Sequence, residues 1–257
     1  MKRLALITGA SAGIGAALAH GYAKRGFDIA LTARREDRLR ALAAAVSARW
    51  GAAAAFYPAD LARPEAPREI LEAVGRPLDV LVNNAGYGVA GGFGAAAWER
   101  QAASIQVMAT APTELAHRAL PGMLARGYGR ILNVASLAGL MPPTGGGLYS
   151  AIKAYMVRFS QALHTETAGS GVHVTALCPG FTYSEFHDVA GTRAEVSRMP
   201  GWLWQEAEPV AEAGIEACEA NRAIVVTGAP NKAIAALGHV LPDGLSLALA
   251  QRAGPKR

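Results

Sequence analysis

The sequence predicts a doubly wound α/β fold, one parallel sheet with helices on both faces, from three observations. Short apolar runs alternate with helix-period segments along most of the chain. The runs are continuously apolar, as strands buried on both faces are. A glycine-rich turn, "TGASAGIG", joins the first run to the first helical segment. At that junction open parallel sheets take up phosphate-bearing ligands.

The elements follow in order. "RLALITG" reads as a strand and "AALAHGYAKRG" as the helix after it. "FDIALTAR" and "EDRLRALAAAVSARW" form the second pair, "AAAFYPAD" and "PEAPREILEAVG" the third. "LDVLVNNAG" is the fourth strand, followed by a long helical stretch ending near "LPGMLARG". "GRILNVAS" precedes a helix that begins around "YSAIK". "GVHVTALCPG" and "AIVVTG" complete the strands. No repeat or linker divides the 257 residues, a length that one such domain fills. Residues 1–257 are therefore expected to form a single domain.

Two segments break the pattern. Residues 184–209 place Phe186, Met199, Trp202 and Trp204 among polar residues, which suits either a small lid over a pocket or a surface excursion. Residues 230–257 hold two apolar helical stretches broken by Pro242 and Gly244. This tail is expected to pack on the core or on a second subunit, with a peripheral membrane contact as the alternative.

Composition narrows the function. A 51% hydrophobic and 18% charged chain can bury a large core. The net charge is +5, but the Lys and Arg residues are dispersed, so neither nucleic acid nor a membrane surface is an expected partner. A phosphorylated small ligand needs only a few of them. Cys178 and Cys218 make no disulfide framework or CxxC pair, which fits a reducing, cytoplasmic setting. The six histidines lack metal-ligand spacing, so no metal is expected. The apolar start is short and runs straight into the glycine turn, so it reads as a strand and not as a signal peptide. No run reaches the ~18–20 apolar residues of a membrane span.

The glycines Gly9, Gly13 and Gly15, with Ser11, Ala12 and Ile14 between them, permit a tight turn and close approach of backbone to a pyrophosphate at the helix N-terminus. The second strand ends on Ala33, Arg34 and Arg35, where NAD-binding folds often carry an acid. Two guanidiniums suit a ribose 2′-phosphate instead, and arginines are otherwise poor choices near a helix N-terminus. Arg38, one turn on, reads as a surface residue. Tyr149 and Lys153 stand four residues apart, on one face of a helix. A nearby cation favours a phenolate, whose usual pKa is ~10. This pair is a candidate proton donor and acceptor.

With "TGASAGIG", "ADL", "NNAG", "NVAS", "YSAIK" and "PGF" in that order, the sequence resembles the short-chain dehydrogenase/reductase (SDR) family over nearly its whole length. "TARREDRL" is similar to the NADP-preferring members. The resemblance implies a Rossmann fold and NADP(H)-dependent interconversion of a carbonyl and an alcohol. It implies that Asp60 and Leu61 border the adenine, and that Asn83, Ala85 and Gly86 line the cofactor cleft and stabilise the sheet. Pro179, Gly180 and Thr182 would contact the nicotinamide side. Tyr149 would be the proton donor or acceptor, with Lys153 lowering its pKa and holding the nicotinamide ribose. Ser136 would hydrogen-bond the substrate oxygen, where charge develops. A homodimer or homotetramer is implied, sharing the helices around 110–126 and 150–167.

The sequence departs from the family at Met108, where the resemblance implies an Asn that holds a water in a relay to the catalytic Lys. A thioether cannot replace an amide. Pro112 adds a proline inside the same predicted helix. At "PGFTYSEFH", Tyr183 and Ser184 replace a basic residue and a Thr; the hydroxyl kept by Ser184 makes little consequence expected. The expected function is an NADP(H)-dependent oxidoreductase acting on an uncharged, fairly hydrophobic small molecule. The alternative is a catalytically weak NADP-binding sensor or partner protein.

Overall fold

The computed structural model describes residues 2–89, 93–142, 147–189 and 191–240, with Gly244 and Ala248. Its strands are β1 (Leu4–Thr8), β2 (Asp28–Ala33), β3 (Ala54–Pro58), β4 (Val80–Asn83), β5 (Gly129–Val134), β6 (Val172–Cys178) and β7 (Ile224–Val226). They form one parallel sheet in the order β3-β2-β1-β4-β5-β6-β7. The doubly wound expectation is therefore met. The order reverses between β1 and β4, and the crevice beyond their carboxyl ends is where such sheets bind ligands.

The described helices are α1 (Gly13–Lys24), α2 (Glu36–Trp50), α3 (Ala66–Val74), α4 (Trp98–Ile105), α5 (Ala111–Ala125), α6 (Tyr149–Glu166), the short α7 (Phe186–Val189) and α8 (Arg193–Val196), α9 (Ala207–Glu219) and α10 (Ala229–Val240). One face of the sheet packs on α1, α2 and α9, through Leu18, Tyr22, Leu39, Val46 and Ile215. The other packs on α3, α5 and α6, through Ile70, Leu115, Met123 and Ile152. The core is legible in the sequence because the central strands are buried and mostly apolar, such as "LALIT" in β1 and "VLVN" in β4, whereas β3 at the sheet edge is only partly covered.

Cys178, at the end of β6, is enclosed by Ala135, Met156 and Val157. Cys218 sits in α9 within the α1 face. Both thiols are free and buried, and burial pushes each up to about 12.

One expectation is corrected. The long helix expected before β5 is two helices joined by a π-turn, Gln106–Thr110. Pro112 accounts for the break: it has no N–H for the Met108 carbonyl four residues back, and its ring crowds that carbonyl. Pro112 itself lies in the first turn of α5, where a missing N–H costs little. Residues 184–209, described except for residue 190, hold short ordered turns and the start of a helix. They carry α7, α8 and the 3₁₀ turn Gly201–Leu203, and α9 has begun by Ala207. The tail from 230 opens within α10; beyond 240 it lies outside the described residues apart from Gly244 and Ala248.

Candidate active site

The cleft at the carboxyl edge of the sheet has a volume of about 940 Å³. The glycine loop forms one end, and Ser136, Tyr149 and Lys153 form the other wall. Gly9 and Gly13 adopt φ of 64° and 54°, the left-handed region open to glycine. A Cβ on Gly9 would lie 2.7 Å from the Ala85 Cα. The cradle therefore depends on glycine. The Thr8 hydroxyl donates to the Val82 carbonyl at 3.2 Å and accepts from the Asn84 and Ala85 N–H groups at 2.9 and 3.1 Å. These bonds lock the end of β1 to the end of β4.

Most of the residues expected at the cofactor do line this cleft: Gly9, Ser11, Ala12, Gly13, Ile14, Arg34, Arg35, Asp60, Leu61, Ala85, Gly86, Pro179, Gly180 and Thr182. Gly15 lies behind the loop, packed against the Gly9 carbonyl. Asp60 Oδ1 accepts from Ala62 N–H at 3.0 Å, which fixes the turn after β3.

Asn83 departs from the expectation that it lines the cleft. As the last residue of β4 it is buried, and its amide donates to Asn133 Oδ1 at 2.9 Å and to the Pro112 carbonyl at 3.2 Å. Asn133 in turn donates to Ser160. Asn83 therefore ties β4 to β5 and α5. Asn84 lines the cleft in its place, donating to the carbonyls of Thr8 and Gly9 at 2.9 and 3.1 Å. The two Asn are adjacent in "NNAG", and neighbouring side chains leave the backbone in opposite directions. That alternation is the signal that separates them.

Ser136, at the end of β5, caps a 3₁₀ turn (Leu137–Gly139), its hydroxyl accepting from Ala138 N–H at 3.1 Å. Tyr149 opens α6, and Lys153 is one turn on. The expected lowering of the Tyr149 pKa by Lys153 is not found in the protein alone. Burial pushes the phenol up to about 12, partly offset by a hydrogen bond with Ser136. Burial brings the Lys153 amine down to about 8. The amine stands 5.7 Å from the centroid of the Tyr149 ring and donates to the Val134 carbonyl at 2.8 Å. Lys153 is thus held by a carbonyl of β5 and not by the phenol.

Met108 sits in the π-turn with 2% of its surface exposed. A buried void of about 10 Å³ is lined by Met108, Asn83, Pro112 and Lys153 among others. Asn83 Oδ1 meets no donor among the described residues. Replacing Met108 by Asn deletes apolar contacts and buries an amide. A loss of about 2–4 kcal/mol is expected, read as a lower midpoint in a thermal melt.

Two further departures concern charge. Arg35 does not stand free. It donates to Ser11 Oγ through Nη2 at 2.8 Å and pairs with Glu185 at 2.6 Å. Arg38, expected at the surface without a role, pairs with the same carboxylate at 2.7 Å. Arg34 makes no ion pair among the described residues. Ser184 packs on the glycine loop: a Cβ on Gly13 would come within 2.7 Å of the Ser184 Cβ. The sequence reading did not assign Phe186, His187, Met141 or Ile234 to the site, yet all four line the cleft. Phe186 packs on Tyr149 with ring centroids 5.5 Å apart. Tyr183 stacks on Trp204 at 4.9 Å. Among the described residues no group of acids, histidines or cysteines could hold a metal, and no helix is long and apolar enough to cross a membrane.

A glycine loop and a Ser-Tyr-Lys group share one cleft at the carboxyl edge of a parallel sheet, the architecture of a nucleotide-dependent oxidoreductase. A family model described as short chain dehydrogenase matches residues 3–194. HetN, a ketoacyl reductase of Nostoc sp., is 32% identical over 198 residues, covering 76% of this chain and 69% of HetN. A short-chain dehydrogenase from Sphingobium yanoikuyae, solved in complex with NADPH, is similar at a TM-score of 0.82 with 31% identity, covering 93% of this chain and 96% of that one. L-sorbose reductase from Gluconobacter frateurii, solved with NADPH and L-sorbose, gives 0.78 with 28% identity, over 88% and 95%. The chain belongs to the short-chain dehydrogenase family.

Proposed function

We propose that this protein is an NADP(H)-dependent oxidoreductase that interconverts a carbonyl and an alcohol on an uncharged, fairly hydrophobic small molecule. The observation that carries the reading is the placement of Ser136, Tyr149 and Lys153 on the wall of the same cleft as the glycine loop and Arg34 and Arg35. The glycine loop would hold the pyrophosphate, the arginines the 2′-phosphate, and Asp60 and Leu61 the adenine. NADPH-bound relatives support this cofactor. When bound, the dinucleotide supplies or accepts the hydride.

The residues supply position and the proton. A carbonyl oxygen gains negative charge during reduction, and the Ser136 hydroxyl stabilises it. Tyr149 holds the proton in its resting, neutral state, since burial keeps the phenol protonated. It can therefore donate to that oxygen. Lys153 would hold the ribose of the bound dinucleotide and balance charge as the proton leaves. Phe186, Met141, Met199, Leu203 and Ile234 give the substrate end apolar walls, which favours an uncharged substrate. Residues 184–209 act as its lid. A homodimer or homotetramer and a cytoplasmic setting complete the reading.

Met108 favours a second reading, a weakly active NADP-binding protein. The void beside Lys153 supports retained activity: its volume of about 10 Å³ is at the lower end of the room one water needs, and Asn83 and Lys153 are both among the residues lining it. A proton route past that point needs no amide at 108.

The test follows NADPH absorbance with a panel of ketones, aldehydes and quinones. Wild type is expected to turn over at least one of them, and Tyr149→Phe to lose about 10²–10⁴-fold in kcat/KM. Undiminished turnover in Tyr149→Phe would remove the assigned proton donor. No turnover by wild type, with NADPH still bound, would favour the sensor.

A further inference from the structure

Arg35 and Arg38 are already engaged. The Glu185 carboxylate places one oxygen 2.6 Å from Arg35 Nη1 and the other 2.7 Å from Arg38 Nη1. The far edge of the Arg35 guanidinium is held by Ser11 of the glycine loop. The carboxylate thus satisfies the arginines much as two oxygens of a phosphate would. Glu185 is not a fold-holding residue. Its side chain and both guanidiniums are more than a third exposed, and ion pairs in that setting contribute little stability. The arginines hold its carboxyl below the usual range, so it is charged at neutral pH.

Its neighbours give the contact reach. Ser184 packs against Gly13, and Phe186 packs on Tyr149. Arg193 pairs with Asp188 and donates to the Ser184 carbonyl, bracing the segment. Three consecutive residues therefore touch the pyrophosphate loop, the arginine pair and the candidate proton donor.

We propose that Glu185 occupies the seat of the ribose 2′-phosphate as an internal anion, and that an arriving 2′-phosphate displaces it and releases the lid segment from the cleft. This inference rests on the NADP(H) reading above. A phosphate carries more charge than a carboxylate and can take both guanidiniums. A nucleotide without the 2′-phosphate has nothing to offer the arginines and leaves Glu185 in place. Glu185 is thus a specificity residue that acts by competition, and it couples filling of the phosphate seat to the position of Phe186 over Tyr149.

The experiment measures dissociation constants of adenosine 2′,5′-bisphosphate and of 5′-AMP for wild type and Glu185→Gln by calorimetry, with tryptophan emission recorded alongside. A seat blocked about nine-tenths of the time weakens apparent binding about tenfold. Glu185→Gln is therefore expected to tighten the bisphosphate about tenfold, with 5′-AMP changed less than about twofold. Wild-type emission should change with the bisphosphate and not with 5′-AMP, because Trp204 stacks on Tyr183, two residues from Glu185. Emission of Glu185→Gln should respond much less. Bisphosphate affinity unchanged or weakened in Glu185→Gln would overturn the proposal, as would equal tightening of 5′-AMP. Absence of bisphosphate binding in both proteins would instead overturn the NADP(H) reading, and this inference with it.

Discussion

Lys153→Met is expected to abolish turnover and yet to raise the melting temperature at neutral pH. The amine is buried, and burial brings its pKa from 10.5 down to about 8. A shift of that size corresponds to a cost of about 3 kcal/mol for holding the charged form. Methionine fills similar space without charge. It leaves the Val134 carbonyl short of one donor, a cost of about 1–3 kcal/mol. The balance favours the variant by about 1 kcal/mol, or roughly 2–4 °C for a chain of this size. The pH dependence has a definite sign. Below pH 8 the lysine is charged in both folded and unfolded chains, so the cost is complete. Between 8 and 10.5 only the unfolded chain keeps the proton, and wild-type stability rises with pH. The advantage of Lys153→Met should therefore be largest below pH 8, be gone by about pH 9 because wild-type stability rises by about 1.4 kcal/mol per pH unit, and be reversed at 10.5, where only the missing donor to Val134 remains. The raised pKa values of Tyr149 and Cys218 destabilise both proteins alike at high pH and cancel in the difference; Cys178, whose thiol the Lys153 charge lowers, does not cancel fully. Melting curves of the two proteins from pH 6.5 to 10.5 make the check. A variant less stable than wild type at pH 7 would show that the Val134 contact outweighs the buried charge.

Gly15→Ala is expected to be strongly harmful although it looks conservative. In an ordinary helix the change gains about 0.5–1 kcal/mol. Here the added Cβ would lie 2.4 Å from the Gly9 carbonyl oxygen, 2.5 Å from Asn84 Nδ2 and 3.0 Å from the Ala10 Cα. Backbone lies on two sides, so the loop itself must move. That movement strains the bonds from Asn84 to the Thr8 and Gly9 carbonyls. Overpacking and weakened hydrogen bonds together should cost about 2–3 kcal/mol and lower the melting midpoint by roughly 5–10 °C. Nucleotide affinity should fall by about tenfold or more, since each 1.4 kcal/mol of lost preorganisation is a factor of ten. Calorimetry with NADPH and a thermal melt read both effects. An unaltered midpoint would mean that the loop relaxes without cost.

Local patterns made much of this legible. "EDRLRALAAAVSARW" is the whole of α2, closed by Gly51 in the left-handed region. The strands showed because both faces of the sheet are covered. The glycine loop and the Tyr-Lys spacing carry their geometry in a few adjacent residues. What stayed hidden depends on partners distant in sequence. Arg35 and Glu185 are 150 residues apart, and no spacing rule links them. The opening of the helix over 106–110 needed the proline's effect on a carbonyl one turn back. Asn83 and Asn84 are identical in type, and only the exit of the chain from β4 decides which faces the cleft. The pKa of Tyr149 follows from burial, which a four-residue spacing cannot express.

The two enclosed thiols give the native chain its own clock. Neither Cys178 nor Cys218 is a nucleophile while the protein is folded, because both are covered and protonated far above neutral pH. A thiol reagent can therefore mark them only during openings, and its rate reports how often each region opens. The sites sample different territory: Cys178 lies beside Lys153, Cys218 within α9 on the opposite face. Equal rates would mean that the molecule opens as one unit. Faster marking at Cys178 would locate the breathing at the reaction end of the sheet, and its slowing by nucleotide would measure occupancy without any substrate in hand.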